Sequence, residues 1–185
     1  MKMYYYYGVM GSSKTANALM TKFNLEEHGQ KVLLLKPSVD NRDGITTVKS
    51  RIGISCEAIL IGQEDNITDI LKDYDEFNVI IVDEAQFLSK SQVDQLRNLI
   101  DDNITVMCYG LKTDYMGNLF EGSKRLLEVS DSIREIKSLC SCGRKAIMNA
   151  RYNNGKILYS GSQIDIGGND KYKALCYHCW KNGII

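Results

Sequence analysis

The sequence predicts an α/β fold: an open, mostly parallel sheet flanked by helices, with a small cysteine-bearing lobe after it. Three observations predict it. Short apolar runs alternate with segments of helical periodicity, and one run, Val79–Val82, is unbroken, as expected of a strand covered on both faces. A glycine-bounded polar loop lies between the first strand and the first helix. Four of the six cysteines fall beyond residue 139, as two short pairs.

The elements follow in order. Tyr4–Tyr7 is a β-prone run that ends at Gly8. After the polar loop, Ala16, Leu19, Met20 and Phe23 recur at helical spacing and predict one apolar face, with Gly29 as the stop. Val32–Leu35 is a compact strand closed by Lys36 and Pro37, the only proline. Residues 38–56 read as a long polar loop, and a loop of that length is commonly functional or disordered. Beyond Val79–Val82, Ser89 caps a helix that carries Val93, Leu96, Leu99 and Ile100 on one face. Ile104–Cys108 is another strand and Glu121–Val129 a short helix. After Ile133 the pattern changes to short strand-like pieces, Arg134–Leu139 and Ala146–Arg151, then a stretch rich in Gly and Asn. The chain therefore divides into an α/β domain, 1–138, whose nucleotide-binding motifs are read below, and a small lobe, 139–185.

Composition excludes several classes of function. Lys plus Arg and Asp plus Glu both total 23, and no basic stripe is present, which argues against a nucleic-acid polymer as partner. No apolar run reaches the ~20 residues needed to cross a bilayer, and the first residues are too polar for a signal peptide. The expectation is a soluble, cytoplasmic protein.

The polar loop is Gly8-Val9-Met10-Gly11-Ser12-Ser13-Lys14-Thr15. It follows the pattern G-x-x-x-x-G-K-[ST], in which backbone N–H groups and a helix N-terminus surround phosphate oxygens. Lys14 would reach the β- and γ-phosphates of ATP, and the Thr15 hydroxyl would complete a Mg²⁺ shell. Ser13 departs from the pattern, standing where the second glycine is usual. The strand Val79–Val82 ends in Asp83-Glu84, which puts carboxylates at the carboxyl edge of the sheet, where open α/β sheets bind ligands.

Cys140-Ser141-Cys142 and Cys176-Tyr177-His178-Cys179 suggest a structural Zn²⁺ held by four thiolates, Cys140, Cys142, Cys176 and Cys179. His178 could substitute for a cysteine, although its spacing favours Cys179. The other reading of these residues is a redox-active or simply reduced set of thiols.

Further segments resemble one family. These are Lys36-Pro37 through Asp40-Asn41-Arg42; Val82-Asp83-Glu84-Ala85-Gln86-Phe87-Leu88; Tyr109-Gly110-Leu111-Lys112-Thr113-Asp114-Tyr115 with Phe120; Cys140 through Ala146; and Ile166-Gly167-Gly168-Asn169-Asp170-Lys171-Tyr172. With the phosphate loop they make six segments in order, and together they resemble the type II thymidine kinases, the family of human cytosolic and common bacterial enzymes. The resemblance implies a kinase that moves the γ-phosphate of ATP to the 5′-hydroxyl of thymidine, giving dTMP for nucleotide salvage. It implies Glu84 as catalytic base, Asp83 as an organiser of Mg²⁺, and Arg42 beside the transferred charge. Phe87, Tyr115 and Phe120 would wall the thymine pocket, Tyr115 replacing the usual Phe. Ile166, Gly167, Gly168 and Tyr172 would close over thymidine, on a loop supported by the zinc lobe. A homotetramer and feedback inhibition by dTTP are implied as well.

Two rival readings are a zinc-ribbon binding module whose phosphate loop is degenerate at Ser13, and a helicase-like ATPase with Asp83-Glu84-Ala85-Gln86 as its acidic box. The second needs two ATPase lobes and a basic groove, neither of which the sequence offers.

Overall fold

A parallel strand buried on both faces sends successive side chains into two different cores. In β6 (Val79–Val82), Ile80 and Val82 enter one apolar cluster while Val79 and Ile81 enter another on the opposite face. The computed structural model describes residues 1–39, 46–163 and 171–185. β1 (Met3–Tyr7) divides in the same way: Met3 and Tyr5 are buried with the first cluster, and Tyr6 stacks on Tyr109 on the other side, ring centroids 4.7 Å apart.

The remaining elements are α1 (Lys14–Glu27), β2 (Val32–Pro37), β3 (Thr47–Lys49), β4 (Ser55–Glu57), β5 (Ile59–Ile61) and α2 (Ile67–Leu71). After β6 come a 3₁₀ turn (Ala85–Phe87), α3 (Lys90–Asn98), β7 (Thr105–Gly110), α4 (Glu121–Val129) and β8 (Ser132–Glu135). β9 (Met148–Asn153), β10 (Lys156–Leu158), β11 (Tyr172–Leu175) and α5 (Tyr177–Lys181) end the chain. Among the described residues, the main sheet runs β5-β2-β6-β7-β1-β8 with every neighbouring pair parallel. Residues of α2, α3 and α4 share the first cluster, and Ala18 and Leu19 of α1 share the second with Val48 of β3. A separate antiparallel sheet, β10-β9-β11, carries a third buried cluster that includes Cys140, Cys176 and Cys179.

Ser89 caps α3 with a full capping box: its hydroxyl accepts from the Gln92 N–H and Gln92 accepts from the Ser89 N–H. Val93, Leu96 and Leu99 are buried as the periodicity predicts, and Ile100 packs partly against the same cluster. α4 spans the predicted Glu121–Val129.

Four expectations need correction. In α1 the buried stripe is Ala16, Ala18 and Leu19, while Met20 and Phe23 are exposed at 52% and 61%. Positions 18 and 19 face the sheet, where the small Ala18 allows close approach, and 20 and 23 turn away from it. Residues 46–57 are no featureless loop: β3 and β4 form a hairpin in register Thr47↔Glu57 and Val48↔Cys56. Each strand of the hairpin is three residues long, too short for alternation to be seen. The strand expected at Arg134–Leu139 is Ser132–Glu135, because β8 can pair only while β1 lasts, from Tyr4↔Ser132 to Tyr7↔Glu135. The strand expected at Ala146–Arg151 is Met148–Asn153, set by its pairing with β11.

Candidate active site

The carboxyl ends of β1 and β6 lie on one edge of the sheet, separated by β7. β1 leads into the loop from Gly8 to Thr15, which opens α1. Ser13 is the N-cap of that helix and adopts φ 62°, ψ 28°, the left-handed conformation for which glycine is favoured. Gly11 also has positive φ, 76°. The serine thus takes a backbone conformation that the usual glycine would adopt without a Cβ penalty. The Lys14 ammonium donates to the Val9 carbonyl at 2.9 Å, and the Ser12 N–H donates to the same oxygen at 3.2 Å.

Thr15 and Asp83 join the two strand ends, the hydroxyl donating to Asp83 Oδ2 at 2.9 Å. Asp83 is buried, and its other oxygen, Oδ1, has no hydrogen-bond partner among the described residues. Burial is the main cause that pushes the Asp83 carboxyl well above the usual carboxylate range, and the neighbouring Glu84 charge adds to it. The Thr15 hydroxyl, the Glu84 N–H and Lys14 oppose that rise. A buried carboxylate with an orphaned oxygen beside a phosphate loop is suited to a hard cation such as Mg²⁺, whose charge would restore the ionised form.

Glu84 is only partly buried and sits at φ 52°, ψ 36°, a left-handed conformation unusual for a non-glycine residue. Its Oε2 accepts from Gln86 Nε2 at 2.6 Å. Gln86 is buried, and its Oε1 accepts from the Leu111 N–H at 2.9 Å. Gly110 allows this arrangement, since a Cβ there would lie 2.7 Å from Gln86 Oε1. Gly122 does the same for the 3₁₀ turn, as a Cβ there would lie 2.6 Å from the Leu88 carbonyl oxygen. That close packing against α4 brings Phe87 and Phe120 into an edge-to-face pair, centroids 5.8 Å apart.

Tyr115 is buried, with the Arg151 guanidinium over its ring at 5.3 Å and its carbonyl accepting from Trp180 Nε1. Its hydroxyl has no partner among the described residues. Tyr172 is buried in β11, opposite Arg151 of β9. Arg42, Ile166, Gly167 and Gly168 lie outside the described residues.

The sulfurs of Cys140, Cys142, Cys176 and Cys179 lie within 4.8 Å of one another, a set that could hold a metal ion. Burial works to raise the Cys140 thiol, but the Cys142 and Cys176 N–H groups and nearby thiols outweigh it and bring it to about 6. Burial and the crowding of sulfurs push Cys179 up to about 12. The Cys179 N–H donates to Cys176 Sγ at 3.4 Å, which ties the second pair into the first turn of α5.

Sequence reasoning missed three residues near the site. Gln86 lay within a recognised segment without a role. Arg51, in the turn of the β3–β4 hairpin, comes within 3.4 Å of where a Cβ on Gly11 would lie. Asn149 of β9 accepts from the Met10 N–H at 2.8 Å, and no local pattern marks it.

A family model described as thymidine kinase matches residues 1–180 of this chain. A thymidine kinase of Zymomonas mobilis is 45% identical over 180 residues, covering 95% of this chain and 93% of its own. One from Rhodopirellula baltica is 41% identical over 188 residues, covering 99% and 89%. One from Haemophilus influenzae is 43% identical over 180 residues, covering 95% and 93%. Among solved structures, the Legionella pneumophila ATPase DotB aligns with a TM-score of 0.42 at 13% identity, over 78% of this chain and 43% of that one.

Proposed function

The chain belongs to the thymidine kinase family, and from that premise we propose how its own residues divide the work of phosphoryl transfer from ATP to thymidine. Family membership removes both rivals, the zinc-ribbon module and the helicase-like ATPase. ATP is the donor and Mg²⁺ its companion, as the family implies.

The observation that carries the assignment is the Thr15–Asp83 hydrogen bond, which ties the phosphate loop to the acidic strand end with Glu84 next in the chain. In this reading Gly8 through Thr15 hold the phosphates, and Lys14 offsets charge as it moves toward the leaving oxygen. Thr15 and Asp83 would hold Mg²⁺, which would neutralise phosphate charge. The different burial of the two acids separates their roles. Asp83 is enclosed and can serve only an ion inside the site, while Glu84 is open enough to reach a substrate hydroxyl. Glu84 takes the proton of the 5′-hydroxyl as that oxygen bonds to the γ-phosphorus and the bond to ADP breaks.

Phe87 and Phe120 form one wall for the base, and Tyr115 stands in the segment leading to Phe120. Ile166, Gly167, Gly168 and Tyr172 are assigned to thymidine, and Arg42 to the transferred phosphate, on the family resemblance alone. The four cysteines would hold a structural Zn²⁺: four thiolates sharing one such ion would stand roughly 3.8 Å apart. The Cys142–Cys176 sulfur separation of 3.6 Å fits that spacing. The lobe from 139 to 185 is a unit distinct from 1–138. A homotetramer, feedback inhibition by dTTP and a cytoplasmic location complete the reading, and rest on the family resemblance alone.

The test is transfer of labelled phosphate from ATP to each nucleoside in turn, with Glu84→Gln assayed beside the native chain. Thymidine-selective product that falls about a hundredfold or more in the variant supports the assignment. Near-native turnover by Glu84→Gln removes Glu84 as the base.

A further inference from the structure

We propose that Asn149 is a positioning residue for the phosphate loop, through which the cysteine-bearing lobe sets the geometry of the ATP site. The inference rests on the reading of Gly8 through Thr15 as the ATP loop. Asn149 belongs to β9, in the second sheet, yet its buried carboxamide reaches two segments of the main domain. Its Oδ1 accepts from the Met10 N–H at 2.8 Å, and its Nδ2 donates to the Thr113 carbonyl at 2.9 Å.

The Met10 N–H and the Val9 carbonyl belong to one peptide unit, and in a trans peptide they point in opposite directions. On the carbonyl side, Val9 oxygen receives the Lys14 ammonium at 2.9 Å and the Ser12 N–H at 3.2 Å. Asn149 therefore grips one edge of the peptide plane whose other edge seats Lys14. Rotating that plane would release the lysine and reshape the loop. A neighbouring observation points the same way: Val9 is buried in the apolar cluster of the lobe, with Ala150, Leu175, Cys176 and Cys179. Two adjacent loop residues are thus anchored in the lobe, one by packing and one by a hydrogen bond.

The chemistry demands an amide at this position. One partly buried donor and one buried acceptor are satisfied by the same short side chain. Ionised aspartate would keep the bond to Met10 but set a carboxylate oxygen against the Thr113 carbonyl. Leucine would leave both backbone groups unpaired.

The test compares full-length Asn149→Leu and Asn149→Asp with the native chain, measuring KM for ATP and for thymidine, kcat, Tm and bound metal, with Lys14→Ala as reference. The expected result for Asn149→Leu is a KM for ATP raised about tenfold or more, with KM for thymidine within about threefold. Asn149→Asp, which keeps the Met10 bond and the side-chain size, shows a smaller rise in KM for ATP with a lowered Tm, because its carboxylate faces the Thr113 carbonyl; assayed below that Tm at native metal content, it keeps the comparison where the leucine variant folds poorly. An unchanged KM for ATP in the aspartate and leucine variants, or a change confined to thymidine, overturns the proposal. If Lys14→Ala abolishes turnover while both Asn149 variants handle ATP as the native chain does, this inference alone falls. If Lys14→Ala is itself near native, the ATP-loop reading falls and takes the inference with it.

Discussion

Gln86 Nε2 donates to Glu84 Oε2 at 2.6 Å while Gln86 Oε1 accepts from the Leu111 N–H at 2.9 Å, so a buried amide ties the carboxylate of Glu84 to the end of β7. If Glu84 is the base as proposed, a carboxylate held this way spends little entropy finding the angle at which it meets a hydroxyl proton. Gln86→Leu fills a similar volume but removes both bonds. The expected outcome is a kcat lowered by about tenfold or more with KM for thymidine within about threefold, since a misaligned base acts on the transition state rather than on binding. Steady-state kinetics beside a Tm measurement check it; an unchanged kcat in a folded variant would show that Gln86 does not orient Glu84.

Ser13 supplies a second prediction. Its φ of 62° places a Cβ where an L residue pays about 1 kcal/mol or more. The N-cap serine makes no side-chain capping bond that would offset this. Ser13→Gly should therefore raise unfolding free energy by about 1 kcal/mol and leave thymidine phosphorylation intact. Urea denaturation and the transfer assay decide the matter, and a less stable glycine variant would mean that the serine has an uncounted role.

How far the sequence reveals these sites depends on how local each relationship is. β6 was readable because burial on both faces leaves an unbroken apolar run, and α3 because Ser89 and Gln92 write their capping box three residues apart. The loop from Gly8 to Thr15 could be singled out for the same reason, its residues being consecutive in the chain. The face of α1 was misread because two overlapping stripes satisfy helical spacing, and only the sheet decides between Ala18 and Met20. Strands β10 and β11 were missed; they are short and draw their definition from pairing with β9. Asn149 acts across 139 residues on Met10, and Gln86 across 25 on Leu111; separations of that kind leave no periodicity to find.

Asp131 gives a prediction in pH. The Met3 N–H, first, and then Arg97 hold its carboxyl below the usual carboxylate range. A group whose folded pKa is depressed stabilises the fold above its unfolded value of about 3.9, and that contribution is lost as pH falls through the lower folded value. Asp131→Ala should thus be less stable than the native chain at neutral pH. The pair with Arg97 is partly exposed and screened, so the expected gap is about 1 kcal/mol or less. Denaturation curves for both chains should keep their separation down to about pH 4 and converge below it. A gap that persists undiminished at lower pH would assign the loss to packing instead of charge.

The cysteine lobe provides the last prediction. Its buried cluster is small, built around Val9, Ala146, Ala150, Ile157 and Leu175, and three of the cysteines are members of that same cluster. The first pair lies on a turn closed by the Gly143 N–H bonding to the Cys140 carbonyl, with Gly143 at φ 81°, and the second lies at the start of α5. No disulfide among the described residues joins these two segments, and none of the six cysteines is in a disulfide. A core of this size has little stability to spare, so ion binding would be folding energy for the lobe. A strong chelator under reducing conditions should release about one zinc ion per chain and speed amide exchange in β9 and β11 before the main sheet responds. Elemental analysis of freshly purified protein, with exchange mass spectrometry before and after chelation, makes the comparison. Absence of any bound metal, or identical exchange in β9 and β11 once metal is removed, would show that apolar packing holds the lobe by itself.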